Sequence, residues 1–62
     1  MNINTAGSEL LQTLPGIGPK TAERIIEYRE TVGRFKSIEA IQDVKGIGPK
    51  RYERIKALIT VR

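Results

Sequence analysis

The 62-residue chain has no cysteine and no histidine. Disulfides, thiol nucleophiles, ordinary zinc sites and the commonest general base are thereby excluded. Asp43 is the only aspartate, and the six glutamates are interleaved with Lys and Arg on what read as solvated helix faces, so no paired-carboxylate site is expected. Long apolar runs are missing too: nothing approaches the roughly 20 residues of a membrane span. The start, Met1-Asn2-Ile3-Asn4, lacks the basic and apolar regions of a signal peptide. These absences lead us to expect neither catalysis nor membrane contact by the chain itself, and no signal or anchor within it. A chain this short forms one domain, residues 1–62, with no room for a large internal substrate cavity.

What is present is a repeat. Leu14 to Arg29 reads LPGIGPKTAERIIEYR, and thirty positions later Val44 to Ile59 reads VKGIGPKRYERIKALI. The correspondence extends upstream, where Glu9, Leu11 and Gln12 match Glu39, Ile41 and Gln42. The unit is therefore a whole helix, turn and helix, and two such units can bury together the apolar face that one alone cannot. Charge is shared unequally between them. Residues 1–43 carry five basic and six acidic side chains, net −1, whereas residues 44–62 carry six basic and one acidic, net +5. Attraction for an anionic partner belongs to the second half.

Local signals predict helices throughout and no strand. Leu10, Leu11 and Leu14 suggest a first helix over Ala6–Thr13, capped by Asn4 or Thr5 and ended by Pro15. Pro19 suits the first position of a long helix running to Val32, with Ala22, Ile25, Ile26, Tyr28 and Val32 on its apolar stripe and Gly33 as the residue that ends it. In the connector Arg34-Phe35-Lys36, the single Phe is expected to plug the seam between the halves. Ser37 reads as the cap of a helix through Gln42 with Ile38 and Ile41 inward. Pro49 opens a last helix with Tyr52, Ile55, Leu58 and Ile59 on one stripe.

Each Gly-Ile-Gly-Pro-Lys block has the residue types of a phosphate-holding turn. A chain turning through Gly-Ile-Gly into a helix exposes unpaired amides at the positive end of the helix dipole. Gly16 and Gly18, like Gly46 and Gly48, supply turn dihedrals and leave the backbone open to close approach, while Ile17 and Ile47 anchor the loops in the core. Lys20 and Lys50 reach the same anion, Thr21 offers a hydroxyl, and Arg24 and Arg54 extend the basic surface. Lys45 and Arg51 add charge beside the second turn. The plainer alternatives are ordinary turns, solvated lysines, and arginines paired with neighbouring glutamates. Tyr28, Tyr52 and Phe35 occupy packing positions and read as core. Neither a Walker loop nor a dinucleotide fingerprint fits, because the glycine spacing differs and no strand precedes the turn.

The segments Asn-Ile-Asn-Thr-Ala (2–6), Leu-Gln-Thr-Leu-Pro-Gly-Ile-Gly-Pro (11–19), Gly-Arg-Phe-Lys-Ser-Ile-Glu (33–39) and Val-Lys-Gly-Ile-Gly (44–48) resemble the tandem helix-hairpin-helix domain of the ComEA family of competence DNA receptors. The resemblance covers essentially the whole chain. It implies an all-α, compact, pseudo-twofold (HhH)2 domain of SAM-like architecture, with about four short helices plus a connector and units at about 5–33 and 37–62. It further implies that both hairpins contact phosphates across the minor groove of double-stranded DNA without sequence preference, in DNA uptake at the cell surface or in the periplasm. Similar hairpins in other families hold a monovalent cation, so K+ or Na+ in the hairpin backbone is the one ion it implies. A monomer suffices, since both hairpins lie in one chain. The same architecture also serves as a protein docking module, the alternative reading. Two departures stand out: Tyr52 replaces the small residue found at Ala22, and Lys45 replaces Pro15. They predict that the second hairpin contributes more affinity and the first more geometry.

Overall fold

Both turns follow the same backbone course. A computed structural model describes residues 1–62, and in it Gly16 and Gly46 adopt φ of 80° and 100°. That region favours glycine because a Cβ would crowd the following carbonyl. The flanking hydrogen bonds repeat in register: the amides of Leu14, Ile17 and Ala22 donate to Leu11, Leu14 and Gly18, and those of Val44, Ile47 and Tyr52 donate to Ile41, Val44 and Gly48. Gly18 and Gly48 are extended, at φ −95° and −96°, and each places a proline at the head of the next helix.

The elements in order are α1 (Ser8–Leu11), α2 (Pro19–Thr31), a 3₁₀ helix (Ile38–Asp43), α3 (Pro49–Ile55) and a closing 3₁₀ turn (Lys56–Leu58). The fold is all-α, with a single isolated parallel bridge between Asn2 and Thr60. Burial follows the thirty-residue offset. Leu11 and Ile41, Leu14 and Val44, Ile17 and Ile47, Ala22 and Tyr52, and Ile25 and Ile55 are all buried in one core, joined by Ile3, Phe35 and Ile59. Tyr52 is thus buried at the position where the other unit has Ala22. Burial and, secondarily, nearby Glu39 push its hydroxyl pKa up. Phe35 does occupy the seam, 1% exposed and stacked on Tyr28 at 4.7 Å between ring centroids.

Four sequence expectations need correction. The first helix is shorter than Ala6–Thr13 and begins after Gly7, with no side-chain cap, because Asn4 is used elsewhere. Its Oδ1 accepts the Phe35 amide at 2.7 Å, and its Nδ2 donates to the carbonyls of Phe35 (3.0 Å) and Arg62 (3.4 Å). The segment after Ser37 forms a 3₁₀ helix, Ile38–Asp43, and the Ser37 side chain makes no capping bond. The last helix gives way to a 3₁₀ turn after Ile55. That change in pitch moves Leu58 off the apolar stripe, leaving it 50% exposed, while Ile59 stays buried in extended backbone. Val32 and Leu10, expected to face inward, are 69% and 51% exposed, since α2 overruns the core at its end and α1 is only four residues long.

A strap made by residues 1–6 ties these units together. The Ile3 amide donates to Thr60, the Thr60 amide to Met1, and the terminal ammonium to Leu58. From α2, Arg29 donates to the carbonyls of Ile3 (2.9 Å) and Ala6 (2.7 Å). The strap therefore joins the first residues, α2, the connector and the last residues, which fixes how the two hairpins are presented.

Candidate functional site

The two hairpins lie side by side. A methyl placed on Gly16 would sit 3.1 Å from Arg51 Nε, and one placed on Gly46 would sit 3.3 Å from Arg24 Nη1 and 3.7 Å from Thr21 Oγ1. Each unit's second helix thus reaches the other unit's turn. Thirty residues separate Thr21 from Arg51, so this crossing is the pseudo-twofold relation expressed in contacts. Arg51 also donates through Nη1 to the Gly46 carbonyl at 3.0 Å.

Within each hairpin the amides divide into used and free. Those of Ile17 and Ile47 close the turn, and their side chains are 4% and 2% exposed. The amides of Gly18, Lys20 and Thr21, and of Gly48, Lys50 and Arg51, have no acceptor within the protein. These are the orphan donors of the α2 and α3 N-termini, where the helix dipole adds positive potential. Proline at position 19 or 49 removes one potential donor and leaves the rest pointing outward. A Cβ at Gly18 or Gly48 would meet nothing within 4 Å, so space in front of the amides is open. At the second hairpin it forms a shallow depression lined by Gly46, Gly48, Pro49, Lys50 and Arg51.

Lys20, Lys45, Lys50 and Arg54 are exposed beside these turns, and Arg24 and Arg51 are half-buried between them. The arginine–glutamate pairing considered from sequence is not formed. The one ion pair in the structure joins Lys56 to Glu53 at 2.7 Å, and that bond raises the Lys56 pKa. Thr21 departs most from expectation. It is 9% exposed and turned toward Gly46, so its hydroxyl packs in the seam and only its amide faces the open side. Sequence reasoning missed Asn4 and Arg29 as the groups that fix the frame behind the hairpins; nothing local marks either, because their partners lie 23 to 58 residues away. No group of His, Cys, Asp and Glu side chains suited to a metal ion is formed, and no helix is long and apolar enough to cross a membrane.

The helix-hairpin-helix motif family model matches residues 1–60. The chain belongs to the helix-hairpin-helix family. Among relatives, it is 56% identical over all 62 residues to ComE operon protein 1 of Bacillus subtilis, of which it spans 30%. That likeness bears out the resemblance to the ComEA type of helix-hairpin-helix domain. Over 39 residues it is 54% identical to the human endonuclease/exonuclease/phosphatase family domain-containing protein 1, covering 63% of this chain and 7% of that protein. An uncharacterized protein of Haemophilus influenzae is 50% identical over 42 residues, 66% of this chain and 38% of its own length. The chain thus spans only part of the length of each of these relatives.

Proposed function

We propose that this chain binds double-stranded DNA through its phosphates, without reading base sequence, as the DNA-capturing module of an uptake receptor. The observation that carries the reading is the pairing of two equivalent turns, each with three unpaired amides, close enough for one arginine to touch both. A duplex offers phosphates on either side of a minor groove about 6 Å wide, one for each of two adjacent turns. Backbone donors recognise phosphate oxygens and carry no base information, so the contact is indifferent to sequence. Gly18 and Gly48 leave room for the backbone to approach. Lys20 and Lys50 place a charge at each turn, and Lys45 and Arg54 raise the potential around the second.

On this reading the module is non-catalytic and works as a monomer. The Gly16 carbonyl accepts no hydrogen bond, whereas the Gly46 carbonyl is held by Arg51. The first hairpin is therefore better placed to offer a carbonyl to K+ or Na+. The testing experiment is duplex binding by anisotropy across a salt series, with single-stranded DNA for comparison. A duplex that binds weakly at low salt, or no better than a single strand, would favour a protein-docking role instead.

A further inference from the structure

We infer that the Arg51 side chain is a positioning group that sets the separation of the two hairpins, and that its guanidinium is not one of the phosphate contacts. Its part in binding rests on the DNA reading above; its part as a bridge does not. The side chain spans the seam. Its Cγ, Cδ and Nε pack over the bare Cα of Gly16, with a methyl there falling 3.7, 3.6 and 3.1 Å away respectively, while Nη1 donates to the Gly46 carbonyl at 3.0 Å. One half-buried side chain therefore holds both turns, one at its stem and one at its tip. Gly16 has a second reason to be glycine beyond its positive φ, since a Cβ there would press tightly on the Arg51 side chain.

The bond is one-sided. From the first unit, Arg24 and Thr21, the thirty-residue mate of Arg51, both approach Gly46. No side chain but that of Arg51 bonds to a hairpin carbonyl. Nη1 is held on the Gly46 carbonyl, so the remaining guanidinium N–H groups are fixed in the orientation of that bond, whereas Lys50 and Arg54 are exposed and make no such bond. Lysine cannot replace it: its compact ammonium has neither the rigid fork nor a planar stem end to engage both turns.

Arg51→Lys and Arg51→Ala in the full chain separate the roles, with folding followed by circular dichroism. In the absence of DNA, amide spectra of Arg51→Lys should show shifts in the first hairpin, Gly16 to Gly18, as well as in the second. Shifts confined to the second hairpin would overturn the bridge. In duplex titrations both variants should lose about five-fold or more in affinity, the scale of one ordinary intramolecular hydrogen bond, with an unchanged salt slope. A phosphate contact would instead leave Arg51→Lys near wild type and reduce the slope of Arg51→Ala by about 0.9; either result overturns the assignment. A wild-type chain that ignores duplex DNA would sink the DNA reading, and the amide spectra would still decide the bridge.

Discussion

Gly48→Leu isolates what the hairpin backbone does from what holds it together. At Gly48 the backbone is extended, φ −96° and ψ −175°, a conformation open to any residue, and a Cβ would meet nothing within 4 Å. Replacing a tolerated glycine N-cap by an apolar residue costs about 1 kcal/mol at most, partly offset by the smaller entropy of the unfolded chain. For a domain of this size that is a fall of about 4–8 °C in Tm or less. The new side chain, however, stands in front of the free amides of Gly48, Lys50 and Arg51. Losing one set of charge-assisted hydrogen bonds, about 1.5–3 kcal/mol, should weaken duplex binding by roughly 10- to 150-fold. Gly46→Leu is the contrast: φ of 100° and a methyl 3.3 Å from Arg24 Nη1 predict lost stability first. Anisotropy titration beside thermal melts followed by circular dichroism measures both. A Gly48→Leu chain that is folded and binds duplex as the wild type does would refute the claim that these amides hold phosphate.

Further outcomes follow from the same structure. Lys50→Glu should weaken duplex binding more than Lys20→Glu, because residues 44–62 carry net +5 against −1 for residues 1–43; equal losses in a titration would count against unequal hairpins. Asn4→Ala removes both hydrogen bonds to the Phe35 backbone and strands a part-buried amide, so it should cost about 2–3 kcal/mol, visible as a Tm lowered by well over 5 °C, while leaving the hairpin sequence intact. Tyr52 has a raised pKa through burial, so the folded state keeps the proton longer than the unfolded one. Stability from this group is complete below the unfolded pKa of about 10 and falls as pH rises through and above it; Tyr52→Phe should flatten that alkaline loss in urea titrations, and an unchanged profile would refute the assignment.

The hairpins were legible in the sequence because their determinants are local. Glycine at a positive φ, proline at a helix head and an isoleucine between them specify a turn with few alternatives, and repetition doubles the signal. Burial of the five matched pairs followed from the same offset. What escaped reading depends on distant partners. Asn4 looks like a helix cap until Phe35 and Arg62 come within reach, and Arg29 looks like one more solvated cation until the strap's carbonyls approach it. Six residues from Ile38 to Asp43 are too few for periodicity to separate a 3₁₀ from an α-helix. The turns and their basic neighbours were visible in the sequence, but the direction of Thr21 and Arg51 was hidden. Offset alone shows that they are equivalent positions, not that each crosses to the other unit's turn.

The most direct test of two adjacent phosphate grips is the salt dependence of duplex affinity. With about four to six phosphates neutralised, log affinity should fall against log salt with a slope of about −4 to −5, independent of base sequence and shallower on single strands. A slope near zero, or affinity that changes with base sequence at constant salt, would contradict it.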